Sequence, residues 1–250
     1  MRVIVLGAGG RLGSQVLAAA VRAGHQSTAF VRSAERLRAA VGSELLKQVT
    51  VVEGDVSDAD GLSAAMAGHE ACIQAAGYIG DTPEEGLQLQ RLVAAATRAA
   101  NAALVGPRRL WVIGGAGALD LPGRRMMLVD VPGFPFPKYR VHKRNLEFLQ
   151  SPDFDSLDWS FACPGAMTEP GGSSTGSTHH VPARVTVDEL PARLPSWAAV
   201  LPAPLLLPAV AAIKIQLVGP SYEEVAAAIV QHLEPNGPLR HRRVGFAAAA

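Results

Sequence analysis

The sequence predicts an α/β fold, in which helices cover a doubly wound parallel sheet and a small irregular C-terminal region lies beside it. The first observation is that short β-branched runs alternate with Ala-, Leu- and Arg-rich stretches of helical period. The second is that the first apolar run passes directly into a glycine-rich turn. The third is composition, because 250 residues at 48% hydrophobic and 18% charged can bury a full core.

Six short apolar runs rich in Val, Ile, Leu or aromatic residues predict the strands. These strands are residues 2–6, 27–31, 49–52, 71–75, 109–113 and 158–162. Helices are predicted near residues 12–23, 34–41, 58–66, 83–101 and 139–150. Gly24 would cap the C-terminus of the first helix. Ser221 and Glu224 form a capping box, which predicts a last helix to about residue 233, followed by a final strand.

The net charge and the lengths of the apolar segments argue against nucleic-acid and membrane partners. With 23 basic and 22 acidic residues the net charge is +1, which argues against a nucleic-acid-binding protein. The N-terminal apolar run stops at Gly7, so it predicts a strand rather than a signal sequence. The apolar segment at residues 198–213 is broken by three prolines and is too short to span a membrane. A small-molecule substrate is therefore the expected partner, with a homodimer as a candidate assembly.

The cysteines and histidines point to neither disulfides nor a metal site. Cys72 and Cys163 each lie in an apolar run that is typical of a strand, and two cysteines make no disulfide framework, which favours a reducing cytoplasm. His179 and His180 are adjacent and lack the spacing of metal ligands, so they are interpreted as part of a solvated loop.

The glycine-rich turn carries the first chemistry. It comprises Gly7, Ala8, Gly9, Gly10, Arg11, Leu12 and Gly13. Gly7 would form the tight turn, Gly10 would let the backbone approach a pyrophosphate, and Gly13 would let the helix pack on the strand. The phosphates would then lie at the positive end of the first helix. This strand, turn and helix predict a dinucleotide-binding Rossmann fold.

The end of the second strand favours NADP(H) over NAD(H). An NAD enzyme usually places a carboxylate there to accept the ribose 2′-hydroxyl, whereas the first carboxylate here is Glu35. Arg32 can pair with a 2′-phosphate, Ser33 can donate a hydrogen bond, and Arg11 can approach from the glycine turn. The alternative interpretation of Arg32 is a solvated side chain at a strand end.

Three further segments are candidate cofactor contacts, or else ordinary turns. Asp55 and Val56 follow the third strand and could bind the adenine edge. Small residues end the fourth strand and leave room for ribose, and two residues end the sixth strand. These are Ala75, Ala76, Gly77, Cys163 and Pro164. We expect residues 1–165 to form the dinucleotide-binding core and residues 166–250 to shape the substrate pocket, within one compact domain.

Seven segments together resemble the atypical short-chain dehydrogenase/reductases, especially the NmrA-like NAD(P)H-binding branch. The segments are GAGGRLG at 7–13, FVRS at 30–33, GDV at 54–56, AAG at 75–77, VIGGAGAL at 112–119, LDWSFACPGAM at 157–167 and SYEEVAAAIV at 221–230. The resemblance implies a catalytic Tyr and Lys four residues apart on one helix, which correspond here to Tyr139 and Lys143. Tyr139 would transfer the proton and Lys143 would bond the nicotinamide ribose.

One position departs from the family pattern. Catalytic members carry Ser or Thr just after the fifth strand, but residues 113–117 read IGGAG and contain no hydroxyl. Two functions therefore stay open: an NADPH-dependent reductase of a small apolar carbonyl or conjugated compound, and a non-catalytic NADP(H)-binding sensor. An isomerase or epimerase on the same fold is a third alternative, and Tyr139 with Lys143 could also be a mere surface pair.

Overall fold

The computed structural model describes residues 1–77, 82–169, 181–193, 197, 201–206 and 218–249. The predicted histidine loop and most of the apolar segment at 198–213 lie outside these residues. The strands are β1 Arg2–Leu6, β2 Gln26–Val31, β3 Val49–Glu53, β4 Ala71–Gln74, β5 Arg109–Ile113, β6 Asp158–Cys163, β7 Ala166–Thr168, β8 Arg184–Val187, β9 Val218–Ser221 and β10 Arg242–Ala247. The α-helices are α1 Arg11–Arg22, α2 Ala34–Leu46, α3 Ala59–Met66, α4 Pro83–Ala103, α5 Arg140–Leu149 and α6 Tyr222–Gln231.

The predicted doubly wound sheet is confirmed. Its eight strands have the order β3-β2-β1-β4-β5-β6-β10-β8, and all pairs are parallel except β10 with β8. The strand order reverses between β1 and β4, where the crossovers leave in opposite directions. In such sheets the crevice at the carboxyl ends beside this reversal is the usual ligand site.

Side chains of the central strand alternate between two apolar layers. Val3 and Val5 face one layer, which includes residues of α1 and α6. Ile4 and Leu6 face the other layer, which includes residues of α3, α4 and α5. A sheet buried on both faces needs apolar residues at successive positions, which is why these strands read as continuous hydrophobic runs.

The local end signals agree with the predicted ones. Gly24 follows α1 with a φ of 78°. The capping box of α6 is complete, since Ser221 Oγ accepts from the Glu224 amide and the Glu224 carboxylate accepts from the Ser221 amide. The predicted end at residue 41 agrees with a break in α2 at Gly42, whose φ of 75° and ψ of 167° are not helical, so the range Ala34–Leu46 comprises two helical segments.

Two features of the sheet arrangement go beyond the prediction. The final strand β10 lies inside the sheet, between β6 and β8. Strands β7 and β9 form a separate parallel pair. Among the described residues, no helix combines the length and apolar character needed to cross a bilayer.

Candidate functional site

A cleft of about 370 Å³ opens at the carboxyl ends of the strands, beside the reversal of strand order. It brings together most of the predicted cofactor contacts, from four separate segments of the chain. The predicted residues that line it are Gly7, Gly9, Gly10, Arg32, Ser33, Asp55, Val56, Ala75, Ala76 and Gly77. The cleft is also lined by Phe30, Val31, Arg36, Gly54, Glu85, Gln88, Leu89 and Leu92.

The glycine turn is too crowded for side chains. Gly7 has a φ of 74°, and a Cβ there would lie 2.6 Å from the Cα of Ala76. A Cβ on Gly13 would collide with the carbonyl group of Gly7. The Gly10 amide donates to the Gly7 oxygen at 2.9 Å, which closes the turn immediately before α1. The backbone of the turn therefore approaches the cleft closely, as a pyrophosphate cradle requires.

The N-terminus of α1 is suited to an anion. Gly10 is its N-cap and provides no side-chain hydrogen bond, and the first turn of the helix contains no acidic residue. The positive end of the helix dipole is thus not neutralised from within the helix. Together with the crowded glycines, this geometry fits a dinucleotide pyrophosphate.

Arg11 and Leu12 of the predicted turn are not among the residues that line the cleft. Leu12 belongs to α1 and is buried in the same apolar layer as Val3 and Val5. The Arg11 side chain lies 3.6 Å from the carboxylate of Glu169, and a hydrogen bond with Tyr222 raises the pKa of Arg11. The predicted approach of Arg11 to a 2′-phosphate therefore stays a prediction.

Basic residues line the cleft beside the start of α2, and an acidic residue of β3 binds the first amide of that helix. Arg32, Ser33 and Arg36 line the cleft. Ser33 Oγ accepts from the Arg36 amide at 3.2 Å and so caps the helix. The carboxylate of Glu53 accepts from the Ala34 amide at 2.6 Å. Sequence reasoning missed Arg36 and Glu53, although Arg36 follows Arg32 by only four residues.

Asp55 is held by its own turn. Its Oδ1 accepts from the amide of Ser57 at 2.8 Å and from the hydroxyl of Ser57 at 2.7 Å. These bonds lower the pKa of Asp55, and the charge of Arg32 lowers it further. Asp55 therefore presents a carboxylate to the cleft, and its contact with the adenine edge stays a prediction.

The predicted catalytic pair lies at the start of α5. Lys143 Nζ donates to both carboxylate oxygens of Asp130 at 2.8 Å, and Asp130 was not anticipated. Tyr139 stacks on the His142 ring at a centroid distance of 6.4 Å and contacts Phe136 edge-on at 5.9 Å. Neither Tyr139 nor Lys143 is among the described residues that line the cleft.

The loop after β5 has a steric reason to lack a hydroxyl side chain. A Cβ on Gly114 would collide with the ring of Phe161, and a Cβ on Gly117 would lie 2.6 Å from Val129. A Cβ on Gly115 would lie 2.7 Å from the imidazole of His142. The space where a side chain at position 115 would stand is therefore filled by a histidine from α5.

His142 is a functional candidate that sequence reasoning missed. Its side chain is 2% exposed, and neither ring nitrogen has a hydrogen-bond partner among the described residues. Burial lowers the pKa of His142 to about 4, so the ring is neutral at pH 7. The helical spacing from His142 to Leu146 and Leu149 places it on the buried face of α5, but its contact with Gly115 could not be predicted from that spacing.

The end of β6 supports the same loop. Cys163 is 1% exposed, its thiol donates to the Phe161 oxygen at 3.4 Å, and burial raises its pKa. The Pro164 oxygen accepts from the Ala116 amide at 2.9 Å. These contacts fix the loop after β5 to β6 and leave the thiol unreactive. Binding of the cofactor by Cys163 and Pro164 stays a prediction.

No group of His, Cys, Asp or Glu in the described part of the chain could hold a metal ion.

Comparison with known proteins finds one family and several similar structures. The family described as NAD(P)H-binding matches residues 7–189. The uncharacterized protein YwnB of Bacillus subtilis is 31% identical over 183 residues, which span 71% of this chain and 78% of YwnB. A Burkholderia pseudomallei structure, described as a candidate exported protein, is 26% identical with a TM-score of 0.69 and covers 99% of both chains. A candidate NADH-flavin reductase from Streptococcus pneumoniae is 21% identical with a TM-score of 0.68 and covers 100% of both chains.

Proposed function

This chain belongs to the NAD(P)H-binding family, and from that premise we propose that it is an NADPH-dependent oxidoreductase acting on a small apolar carbonyl or conjugated compound. The predicted family membership is thereby confirmed, and the resemblance to the atypical short-chain branch is consistent with it; the NmrA-like subtype stays a prediction. A nicotinamide dinucleotide is the cofactor of such a family. The choice of NADPH and the reaction are the finer proposals.

The cleft at the reversal of strand order is the observation that carries the proposal. Its glycine turn leaves room only for backbone, and the uncapped positive end of α1 faces an expected pyrophosphate. Arg32 and Arg36 line the part of the cleft where the adenosine ribose is expected. Two guanidinium groups there favour a 2′-phosphate, because charge-assisted hydrogen bonds are about twice as strong as neutral ones.

The proposed reduction needs a hydride and a proton. The nicotinamide supplies the hydride when bound. Tyr139 donates its hydroxyl proton to the substrate oxygen, as a general acid. Lys143 would bond the nicotinamide ribose when the cofactor is bound, and its ammonium group is held by Asp130 in this structure. The name of the Streptococcus pneumoniae protein, a candidate reductase, supports redox chemistry on this fold.

The test of the cofactor proposal is a comparison of NADPH and NADH binding. Arg32→Ala should remove most of the NADPH preference, a loss of roughly 10- to 150-fold, since a charge-assisted hydrogen bond contributes about 1.5 to 3 kcal/mol. Arg38→Ala is the matched control, because Arg38 is exposed on α2, six residues after Arg32, and is not among the residues that line the cleft. Equal titration midpoints for NADPH and NADH in the unmodified protein would contradict the proposal.

A non-catalytic NADP(H)-binding sensor is the second candidate function. It is supported by the glycines after β5, which provide no hydroxyl to orient a carbonyl. A screen of carbonyl and conjugated compounds that follows NADPH absorbance separates the two functions. Turnover of any of them supports the reductase, and NADPH binding without turnover supports the sensor.

We also propose a cellular location and an oligomeric state for the protein. Cys72 and Cys163 are both free and buried, which supports a reducing cytoplasm. Cell fractionation tests this, and it would also test whether the exported description of the Burkholderia pseudomallei protein extends to this chain. A homodimer stays a proposal, and sedimentation analysis of the purified protein tests it.

A further inference from the structure

A carboxylate from the neighbouring strand occupies the N-terminus of α2. In the β2–β3 pairing, Glu53 is opposite Val31, the last residue of β2. This register brings the Glu53 side chain to the first residue of α2. There its Oε1 accepts from the Ala34 amide at 2.6 Å. A helix N-terminus normally attracts an anion, and here the anion is part of the chain.

The Glu53 contact lies between residues that line the cofactor cleft. Ser33, which precedes Ala34, lines the cleft, and so does Gly54, which follows Glu53. Arg32 and Arg36 line the same part. The cleft is therefore lined by two cations, Arg32 and Arg36, and by the carboxylates of Asp55 and Glu85, while the Glu53 carboxylate binds the first amide of the helix that contains Arg36.

Two amides in the first turn of α2 are bound by side-chain oxygens. Glu53 binds the Ala34 amide, and Ser33 Oγ binds the Arg36 amide. A 2′-phosphate bound at this helix end would have to compete with the Glu53 carboxylate and would be repelled by its charge. A ribose 2′-hydroxyl would instead meet an acceptor, because only Oε1 of Glu53 takes part in the Ala34 bond.

We infer that Glu53 determines cofactor specificity by acting as a built-in anion that reduces the preference of the cleft for a 2′-phosphate over a 2′-hydroxyl. This inference rests on the proposed function, since it concerns the same cofactor site. Arg32 and Arg36 favour NADPH. The charge of Glu53 reduces the difference between the NADPH and NADH affinities, so that NADH also binds. A prediction of cofactor preference from the residues at the end of β2 alone misses this carboxylate, because Glu53 belongs to β3.

The test uses two substitutions of Glu53 that separate charge from hydrogen bonding. Glu53→Gln keeps an oxygen that can accept from the Ala34 amide but removes the charge. Glu53→Ala removes both. Glu44→Gln is the control for net charge, because Glu44 lies at the other end of α2 and pairs with Lys47. Dissociation constants of NADPH and NADH are measured by calorimetry for all four proteins at low and high salt.

Glu53→Gln should tighten NADPH binding by roughly tenfold at low salt and should leave NADH binding unchanged or weaker, since one repulsive charge near the phosphate is removed. The gain should shrink at high salt, because salt screens interactions between exposed charges. Glu44→Gln should change neither constant.

An unchanged ratio of NADPH to NADH affinity in Glu53→Gln, with a folded protein, would overturn the inference and leave the proposed NADPH preference standing. A lower melting temperature for Glu53→Ala, combined with an unchanged ratio in both variants, would show a helix cap only and would also overturn it. Failure of the unmodified protein to bind either dinucleotide would overturn the proposed function and this inference together.

Discussion

Acid should destabilise this protein through one buried histidine. The His142 ring is 2% exposed beside Gly115, and burial lowers its pKa from 6.5 to about 4. Between those two values the unfolded chain binds the proton more readily than the folded one. The free energy of unfolding therefore falls as the pH falls through this window, and the full loss is reached below pH 4.

The size of the effect follows from the two pKa values. A shift of one pKa unit corresponds to about 1.4 kcal/mol, so the complete shift from 6.5 to about 4 corresponds to about 3 kcal/mol. At pH 5 the unfolded histidine is almost fully protonated and the folded one almost fully neutral, which gives a loss of about 2 kcal/mol relative to pH 7. This is a large fraction of the stability of a typical domain.

Urea unfolding at pH 7 and pH 5 measures the loss, with His142→Gln as the non-titrating comparison. Two other histidines, His25 and His69, also have pKa values lowered by burial, but they are present in both proteins and their contribution cancels in the difference. The variant should lose about 2 kcal/mol less than the unmodified protein between these pH values. The same loss in both proteins, with equal m-values, would refute the reasoning.

Two further predictions concern the cofactor and the proton. Gly13→Val should weaken NADPH and NADH binding alike, because its Cβ would lie 2.9 Å from the Gly7 carbonyl carbon and push α1 away from the pyrophosphate. Normal affinity for both dinucleotides, measured by calorimetry in a folded variant, would contradict the proposed role of the glycine turn. Tyr139→Phe should keep NADPH affinity and lower kcat by about 10²- to 10⁴-fold, whereas Lys143→Ala should lower both, as steady-state kinetics on a substrate from the screen would measure. A wild-type rate in Tyr139→Phe would mean that the proton comes from elsewhere.

Sequence reasoning succeeded where the signal is local. The strand, the glycine turn and the helix that follows are adjacent in the chain, and the capping box at Ser221 needs only residues three apart. It failed where a contact joins distant segments. Glu53 meets α2 through strand register, Asp130 meets Lys143 across a loop, and His142 is buried by glycines that lie on another element. Periodicity can predict which face of a helix is buried, as for His142, but it does not identify the distant residue that a side chain contacts.

The position of β10 between β6 and β8 constrains the order in which the sheet can assemble. Strand β8 precedes β10 in the chain, yet it joins the sheet through β10 alone among the described strands. Until residues 242–247 have paired with β6, β8 has no sheet edge to join and the far edge of β6 stays open. Strands that are far apart in the sequence pair slowly, because the intervening loop loses entropy on closing before any stabilising contact forms. Refolding should therefore have a late phase in which these two strands dock together, and in that phase β6 is the edge most exposed to pairing with another chain.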